Sequence, residues 1–383
     1  MWGLITSLND VLLPHLKSAF ALDYVQATLI QLCFFGAYFV MSIPSGRLVE
    51  WRGYKQGMIL GLLIAAIGAA LFYPAAGSGA YPFFLSALFV LASGITLLQV
   101  AANPYVTVLG PASTASSRLT LTQAFNSLGT TVGPYLGALF ILGATQLRGA
   151  AAAQRVQGPY LVLAAALALI ALVITLTPLP PMITHADGSA AAREPSVWSR
   201  RHLVLGALGI FAYVGGEVAI GSFMVNFLGE PRVASLPAEV AGKYLSLYWG
   251  GAMVGRFIGA ALMVRLHPPR VLTFNALAVG LLLILAIGFP GHTAMWTMIA
   301  IGFFNSIMFP TIFALALTGL GARTGEGSGV LCMAIVGGAV VPELQGWLAD
   351  SIGLTRSYLV PLACYAYVAY YGLRGYRPGS LGR

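Results

Sequence analysis

Long apolar runs alternate along the chain with short breaks of Gly, Pro and charged residues. The runs fall near residues 1–18, 24–45, 56–76, 82–106, 118–143 and 159–178, then near 203–228, 243–265, 271–289, 293–319, 328–348 and 357–376. A helix needs about 20 predominantly apolar residues to cross the hydrocarbon of a bilayer. This pattern therefore predicts an all-α polytopic membrane protein with twelve transmembrane helices. One long polar stretch, MITHADGSAAAREPSVWSRR at 182–201, separates six runs from six. It predicts two pseudo-symmetric six-helix halves, 1–178 and 203–383, joined by a linker over 179–202. The first run is cut by Asp10 before half a span is complete. The natural N-terminus is accordingly expected upstream of Met1, and no cleavable signal peptide is expected.

The composition agrees with lipid as the solvent. Of 383 residues, 58% are hydrophobic and 8% charged, and the mean hydropathy is +0.85. Soluble domains carry about 25% charged residues. The net charge of +9 is spread over short loops without a basic cluster interleaved with aromatics, which excludes nucleic acid as a partner. With the N-terminus inside, the inner side holds thirteen Lys and Arg, among them Arg47, Arg52, Lys55, Arg265 and Arg270, against six outside. Arg256 within a span completes the 20. This bias predicts that both termini and the linker are cytoplasmic. Cys33, Cys332 and Cys364 have neither disulfide nor metal-ligand spacing and are expected as buried free thiols.

The two halves repeat each other. Gln99 precedes Pro104 by five residues in the fourth run, as Asn305 precedes Pro310 in the tenth; Gly129 precedes Pro134 in the fifth, as Gly337 precedes Pro342 in the eleventh. The first run of each half carries one acid, Asp10 and Glu217. Transporters with internal repeats bind near the bilayer midplane.

Polar groups inside the runs are the candidate chemistry, since a charge at the bilayer centre costs at least about 3 kcal/mol. Asp10 and Glu217 are read as functional. Arg256 and Glu343, closer to the two faces, are read as structural pairs. The amides Asn9, Gln99, Asn103, Gln123, Asn126 and Asn305 form a second set. Gln99 and Asn103 are four apart and Gln123 and Asn126 three apart, so each pair shares a helix face. Amides both donate and accept, which suits hydroxyls. Tyr213, Tyr248 and Trp249 offer flat apolar faces, and no basic cluster lies at midplane. The pattern points to a neutral polyol or sugar. It holds no Ser/His/Asp, Cys/His or metal-ligand constellation, so no enzyme and no prosthetic cofactor are expected.

The loop after the second run, GRLVEWRGYK, resembles the loop motif of the major facilitator superfamily, with Gly46, Glu50, Arg52, Gly53 and Lys55 in the motif positions. Its acid and bases can latch neighbouring helix ends in one conformation. The counterpart, GAALMVRLHPPR, keeps Gly259 and Arg265 but has Met263 in the acid position. The segments SLNDVLLPHLK, LLQVAANPYVTVLGP, LTQAFNSLGTTVGPYLG, YVGGEVAIGSF, GRFIG and GGAVVPELQGWLAD are similar, nearly end to end, to the fucose/glucose-galactose permease branch of that superfamily, and most to its glucose/galactose subgroup. The resemblance implies the major facilitator fold, alternating access, and cation-coupled uptake of a monosaccharide across a bacterial inner membrane by a monomer. It places the coupling carboxylate at Asp10 and a sugar-contacting amide at Asn126. Gln99 departs from the fucose permeases, which have a glutamate there; a carboxamide cannot titrate, so proton coupling through that position is excluded. Asp10 with Asn9, faced by Gln99 and Asn103, would ring a charge with neutral oxygens. That favours co-transported sodium over a proton. A fucose:proton symporter is the alternative within the branch, and a drug or sugar efflux exporter the alternative outside it.

Overall fold

A computed structural model describes residues 3–5, 24–78, 80–137, 156–180 and 196–378. Among these there is no β-strand. The helices are α1 (Tyr24–Arg52), α2 (Tyr54–Ser78), α3 (Tyr81–Val108), α4 (Ala115–Gly137) and α5 (Gln157–Leu176), followed by α6 (Arg201–Gly229), α7 (Ala238–Leu262) and α8 (Pro268–Gly288). Three shorter pairs close the chain: α9 (His292–Asn305) with α10 (Met308–Ala316), α11 (Thr324–Met333) with α12 (Gly337–Ile352), and α13 (Leu354–Ser357) with α14 (Leu359–Tyr370). Among the described residues, eight segments are long and apolar enough to cross a membrane. The second to twelfth apolar runs coincide with these helices, the fifth as far as residue 137, beyond which it lies outside the described residues. The first run lies outside the described residues except at residues 3–5. Large side chains such as Val162, Leu176, Phe274 and Trp347 are exposed, as an all-helical chain solvated by lipid requires.

The last three runs differ from single uninterrupted helices, and the tenth shows why. Pro310 has no N–H for the Ser306 carbonyl and its ring crowds that oxygen, so α9 ends at Asn305 and α10 restarts at Met308. Each freed carbonyl finds a side chain. Asn275 Nδ2 donates to Phe304 O at 2.9 Å, the Tyr213 hydroxyl to Asn305 O at 3.0 Å, and Arg256 Nε to Ser306 O at 3.2 Å. An unsatisfied backbone group in hydrocarbon costs several kcal/mol. Pro104 acts likewise in α3 by releasing the Val100 carbonyl, which accepts from Ser328 Oγ at 2.9 Å; there the helix runs on to Val108.

By contacts the chain forms two compact units. The first comprises Met1–Tyr105, Phe125–Glu194 and Gly321–Met333; the second comprises Val106–Ala124, Pro195–Leu320 and Ala334–Arg383. Each takes one segment from the other sequence half. In the first unit the start of α11 lies along α1, where a Cβ on Gly46 would stand 2.7 Å from Gly325 O. In the second, Ser117 Oγ at the start of α4 donates to Ala260 O at 2.6 Å. The exchanged segments, the openings of α4 and α11, belong to runs five and eleven, which the repeat makes equivalent.

Candidate functional site

In the first unit Gln99 is buried on α3, and its Nε2 donates to the Tyr38 hydroxyl at 2.6 Å. One turn on, Asn103 is buried on the same face, and neither Oδ1 nor Nδ2 has a hydrogen-bond partner among the described residues. Asn126 of α4 accepts from the Gly3 backbone N–H through Oδ1 at 2.6 Å. Its helix neighbour Gln123 is buried and falls in the second unit. Asn9 and Asp10 lie outside the described residues.

In the second unit the polar groups converge on the α9–α10 break. The Tyr213 hydroxyl stands 2.7 Å from Glu217 Oε1 and 3.0 Å from Asn305 O, so its one proton serves one acceptor at a time. Asn305 Nδ2 donates to the Tyr248 hydroxyl at 2.8 Å. Its Oδ1 is buried and has no partner among the described residues. Glu217 is half-buried and interacts electrostatically with Arg256. α7 and α9 approach closely enough for this because Gly302 sits against the Tyr248 carbonyl, where a Cβ would collide. Of the three aromatics expected to offer a flat face, Tyr213 and Tyr248 are 1% and 0% exposed, while Trp249 is 39% exposed. The two tyrosines use their hydroxyls to hold Glu217 and Asn305. The Trp249 indole packs edge-on to Tyr248 at 5.0 Å and lies against Gly221.

The repeat seen in the sequence thus extends to contacts. In each unit the amide five residues before the proline donates to a tyrosine hydroxyl: Gln99 to Tyr38, and Asn305 to Tyr248.

The five loop-motif residues have separate physical tasks. Glu50 Oε1 accepts from the Glu326 backbone N–H at 2.7 Å, placing a carboxylate at the positive N-terminal end of α11. Lys55 Nζ donates to Thr175 O and Thr177 O at 3.0 and 2.9 Å, placing a cation at the negative C-terminal end of α5. Gly53 has φ +87°, a backbone conformation that glycine takes at no steric cost. Gly46 admits the Gly325 carbonyl. Arg52 differs from expectation: it is exposed, and its guanidinium lies 4.1 Å over the neighbouring Trp51 ring.

A family model described as Major Facilitator Superfamily matches residues 3–342. The chain belongs to the major facilitator superfamily. It is 56% identical over 376 residues to the glucose/galactose transporter of Brucella abortus, covering 98% of this chain and 91% of that one. It is 35% identical over 390 residues to the L-fucose-proton symporter of Escherichia coli, covering 96% and 89%. A crystal structure of the superfamily transporter FucP in the outward conformation superposes with a TM-score of 0.88 at 34% identity, covering 97% and 95%.

Within this superfamily member, several groups around the site escape the sequence pattern. Tyr38 reads as one more aromatic in an apolar run. Its only signal is the repeat: it precedes Gly46 by eight residues and Tyr248 precedes Gly259 by eleven, a difference of about one helical turn. Ser328 and Asn275, which satisfy the carbonyls at the two proline sites, carry no signal of their own. Glu343 is exposed rather than paired in a helix contact. Of the cysteines, Cys332 is buried, whereas Cys33 and Cys364 are half-buried; Cys33 lies at the rim of α1, where its Sγ donates to Leu85 O at 3.1 Å.

Proposed function

We propose that this protein imports a monosaccharide such as glucose or galactose across the bacterial inner membrane, by alternating access and in symport with a cation. The observation that carries the reading is the pair of buried amides with unspent hydrogen-bonding capacity: both polar atoms of Asn103 and Oδ1 of Asn305. Leaving a buried polar group unmatched costs about 1–3 kcal/mol, and the hydroxyls of a neutral sugar offer both the donors and the acceptors these atoms call for. The name of the B. abortus relative supports the substrate class. Paired amides speak against an exporter of apolar drugs. Trp249, exposed beside the buried network, is the face on which the C–H side of a pyranose would stack. Sodium is the coupling ion we favour, because Asp10 is the one acid of the first apolar run and the other candidates Asn9, Gln99 and Asn103 are neutral. The E. coli relative, an L-fucose-proton symporter, supports the proton as a second reading. The contacts of Glu50 and Lys55 with helix ends are those of a cytoplasmic latch, closed in one conformation and broken in another. The protein is proposed to act as a monomer with both termini cytoplasmic.

Counterflow in proteoliposomes against glucose, galactose, mannose and fucose tests this reading. Exchange of at least one hexose is expected, and exchange of none would overturn it. In isothermal titration, Gln99→Ala is expected to weaken binding of the transported sugar by about 1–3 kcal/mol. Tyr38→Phe, which removes only the internal partner of Gln99, should retain near wild-type affinity. Equal losses in both variants would make Gln99 a helix tie instead. Sugar should also change the intrinsic fluorescence through Trp249, and the change should vanish in Trp249→Phe. A signal that survives unaltered places the reporter on another indole.

A further inference from the structure

The α7–α8 loop is the counterpart of the motif loop, but it has lost the acid. Met263 stands where Glu50 stands in the first half, and it is buried, accepting a 3.4 Å contact from the Thr311 hydroxyl. The arginines of that loop are therefore not recruited to a latch. Arg265 and Arg270 are exposed, and among the described residues no hydrogen bond or ion pair engages their side chains. Both arginines and His267 instead line a cavity of about 500 Å³ within the second unit, a volume in the range of small-molecule sites, about 300–1,000 Å³.

The rest of the cavity lining is mostly apolar. Its walls are Ile258 and Leu262 of α7, Val271 and Phe274 of α8, and Phe303 and Phe304 of α9. Among the described residues no Asp or Glu lines it. Its inner wall is closed by Gly255 and Gly259 of α7, which let that helix pack directly on the α9–α10 break; Cβ atoms there would run into Phe303 O, Ser306 and Ile307. The break itself needs nothing from a ligand, since Asn275 and Arg256 already satisfy its carbonyls. A mostly apolar slot whose lining residues Ile258, Leu262 and Phe274 are exposed, with two unengaged guanidiniums from its loop, is complementary to an amphiphile with an anionic head. Guanidinium forks match phosphate geometry. The counted charge bias puts this loop on the cytoplasmic side, where anionic lipids concentrate and basic pockets between helices take their headgroups.

We infer that this cavity binds an anionic phospholipid of the inner leaflet, its phosphate between Arg265 and Arg270 and the start of an acyl chain between α7, α8 and α9. Occupancy would brace α7 and α8 against the broken α9–α10 segment that carries Asn305. The site is independent of the sugar assignment, since it needs only that the chain be membrane-embedded in the stated orientation.

Native mass spectrometry of the full chain, released from detergent with phosphatidylglycerol or phosphatidylcholine, tests the inference. Wild-type protein is expected to retain phosphatidylglycerol in preference to phosphatidylcholine. The double variant Arg265→Gln/Arg270→Gln should lose roughly 25-fold in phosphatidylglycerol affinity, about fivefold for each arginine. Arg265→Lys/Arg270→Lys should retain most of the preference, and Arg201→Gln, an exposed arginine on α6, should retain all of it. Equal retention of the two lipids by the wild type, or an undiminished preference in the glutamine double variant, would overturn the site. Displacement of the lipid by millimolar glycerol phosphate would reassign it to a soluble phosphate and overturn it as well.

Discussion

Replacing Arg256 with methionine should cost the protein about 3 kcal/mol of stability and most of its transport. Two losses combine in that variant. Ser306 O, freed by Pro310, loses the Arg256 Nε donor that satisfies it. Glu217 loses the cation with which it interacts, and its remaining named partner is the Tyr213 hydroxyl, whose single proton is shared with Asn305 O. Leaving a buried polar group without its partner costs about 1–3 kcal/mol, and here the Ser306 carbonyl and half-buried Glu217 each lose one, which together sets the expected loss at about 3 kcal/mol. The carboxylate sits inside a spanning helix, so it would have to take up a proton or draw in water. Thermal unfolding of the purified protein is the measurement, with Arg256→Lys alongside. Lysine keeps the charge near Glu217 but lacks the planar fork that reaches Ser306, so an intermediate melting temperature is expected. A methionine variant as stable as the wild type would show that neither contact matters.

How far such a site can be read in advance depends on which physical signal encodes it. The helices are legible because the requirement is only length and apolarity, and eleven of the twelve runs fall on described helices. The duplicated halves are legible because two amide–proline and two glycine–proline spacings recur at equal intervals. The motif loop is legible in its ends: an acid and a base placed beside helix termini act through the helix dipole, and Glu50 and Lys55 do so. Arg52 is not, because the choice between a helix end and the adjacent Trp51 ring is one of side-chain rotamer, which residue spacing does not record. Likewise, an aromatic run does not say which ring faces outward. Tyr213, Tyr248 and Trp249 look alike in the sequence; what separates them is that Asn305 and Glu217 claim the two hydroxyls and leave the indole exposed. Tyr38, Asn275 and Ser328 are invisible for a related reason. A hydroxyl or amide that serves a single carbonyl across a helix interface leaves no periodic trace.

Asp10→Asn is expected to keep sugar exchange and to abolish accumulation against a gradient. The argument rests on charge, because the residue lies outside the described part of the structure. Asp10 is the one acid in the first apolar run, and the neighbouring candidates Asn9, Gln99 and Asn103 are all neutral. A carboxylate there can move through the membrane only if a cation neutralises it, so the empty, charged carrier is held back and the loaded one is released. Asparagine removes the charge and with it the proposed cation site. The carrier then reorients with or without its ion, exchange survives, and the coupling that makes transport concentrative is gone. Linkage is reciprocal: in the wild type the coupling cation must tighten sugar binding by the factor by which sugar tightens cation binding, and in Asp10→Asn that factor should fall to about one. The deciding assay is uptake into proteoliposomes driven by a sodium gradient at clamped pH and voltage, beside uptake driven by a proton gradient without sodium. Accumulation in the first arm alone would support sodium, for which neutral amide oxygens serve as hard ligands. Accumulation in the second alone would assign the proton, which needs only the carboxylate itself. Accumulation by Asp10→Asn in either arm would remove Asp10 from the coupling mechanism.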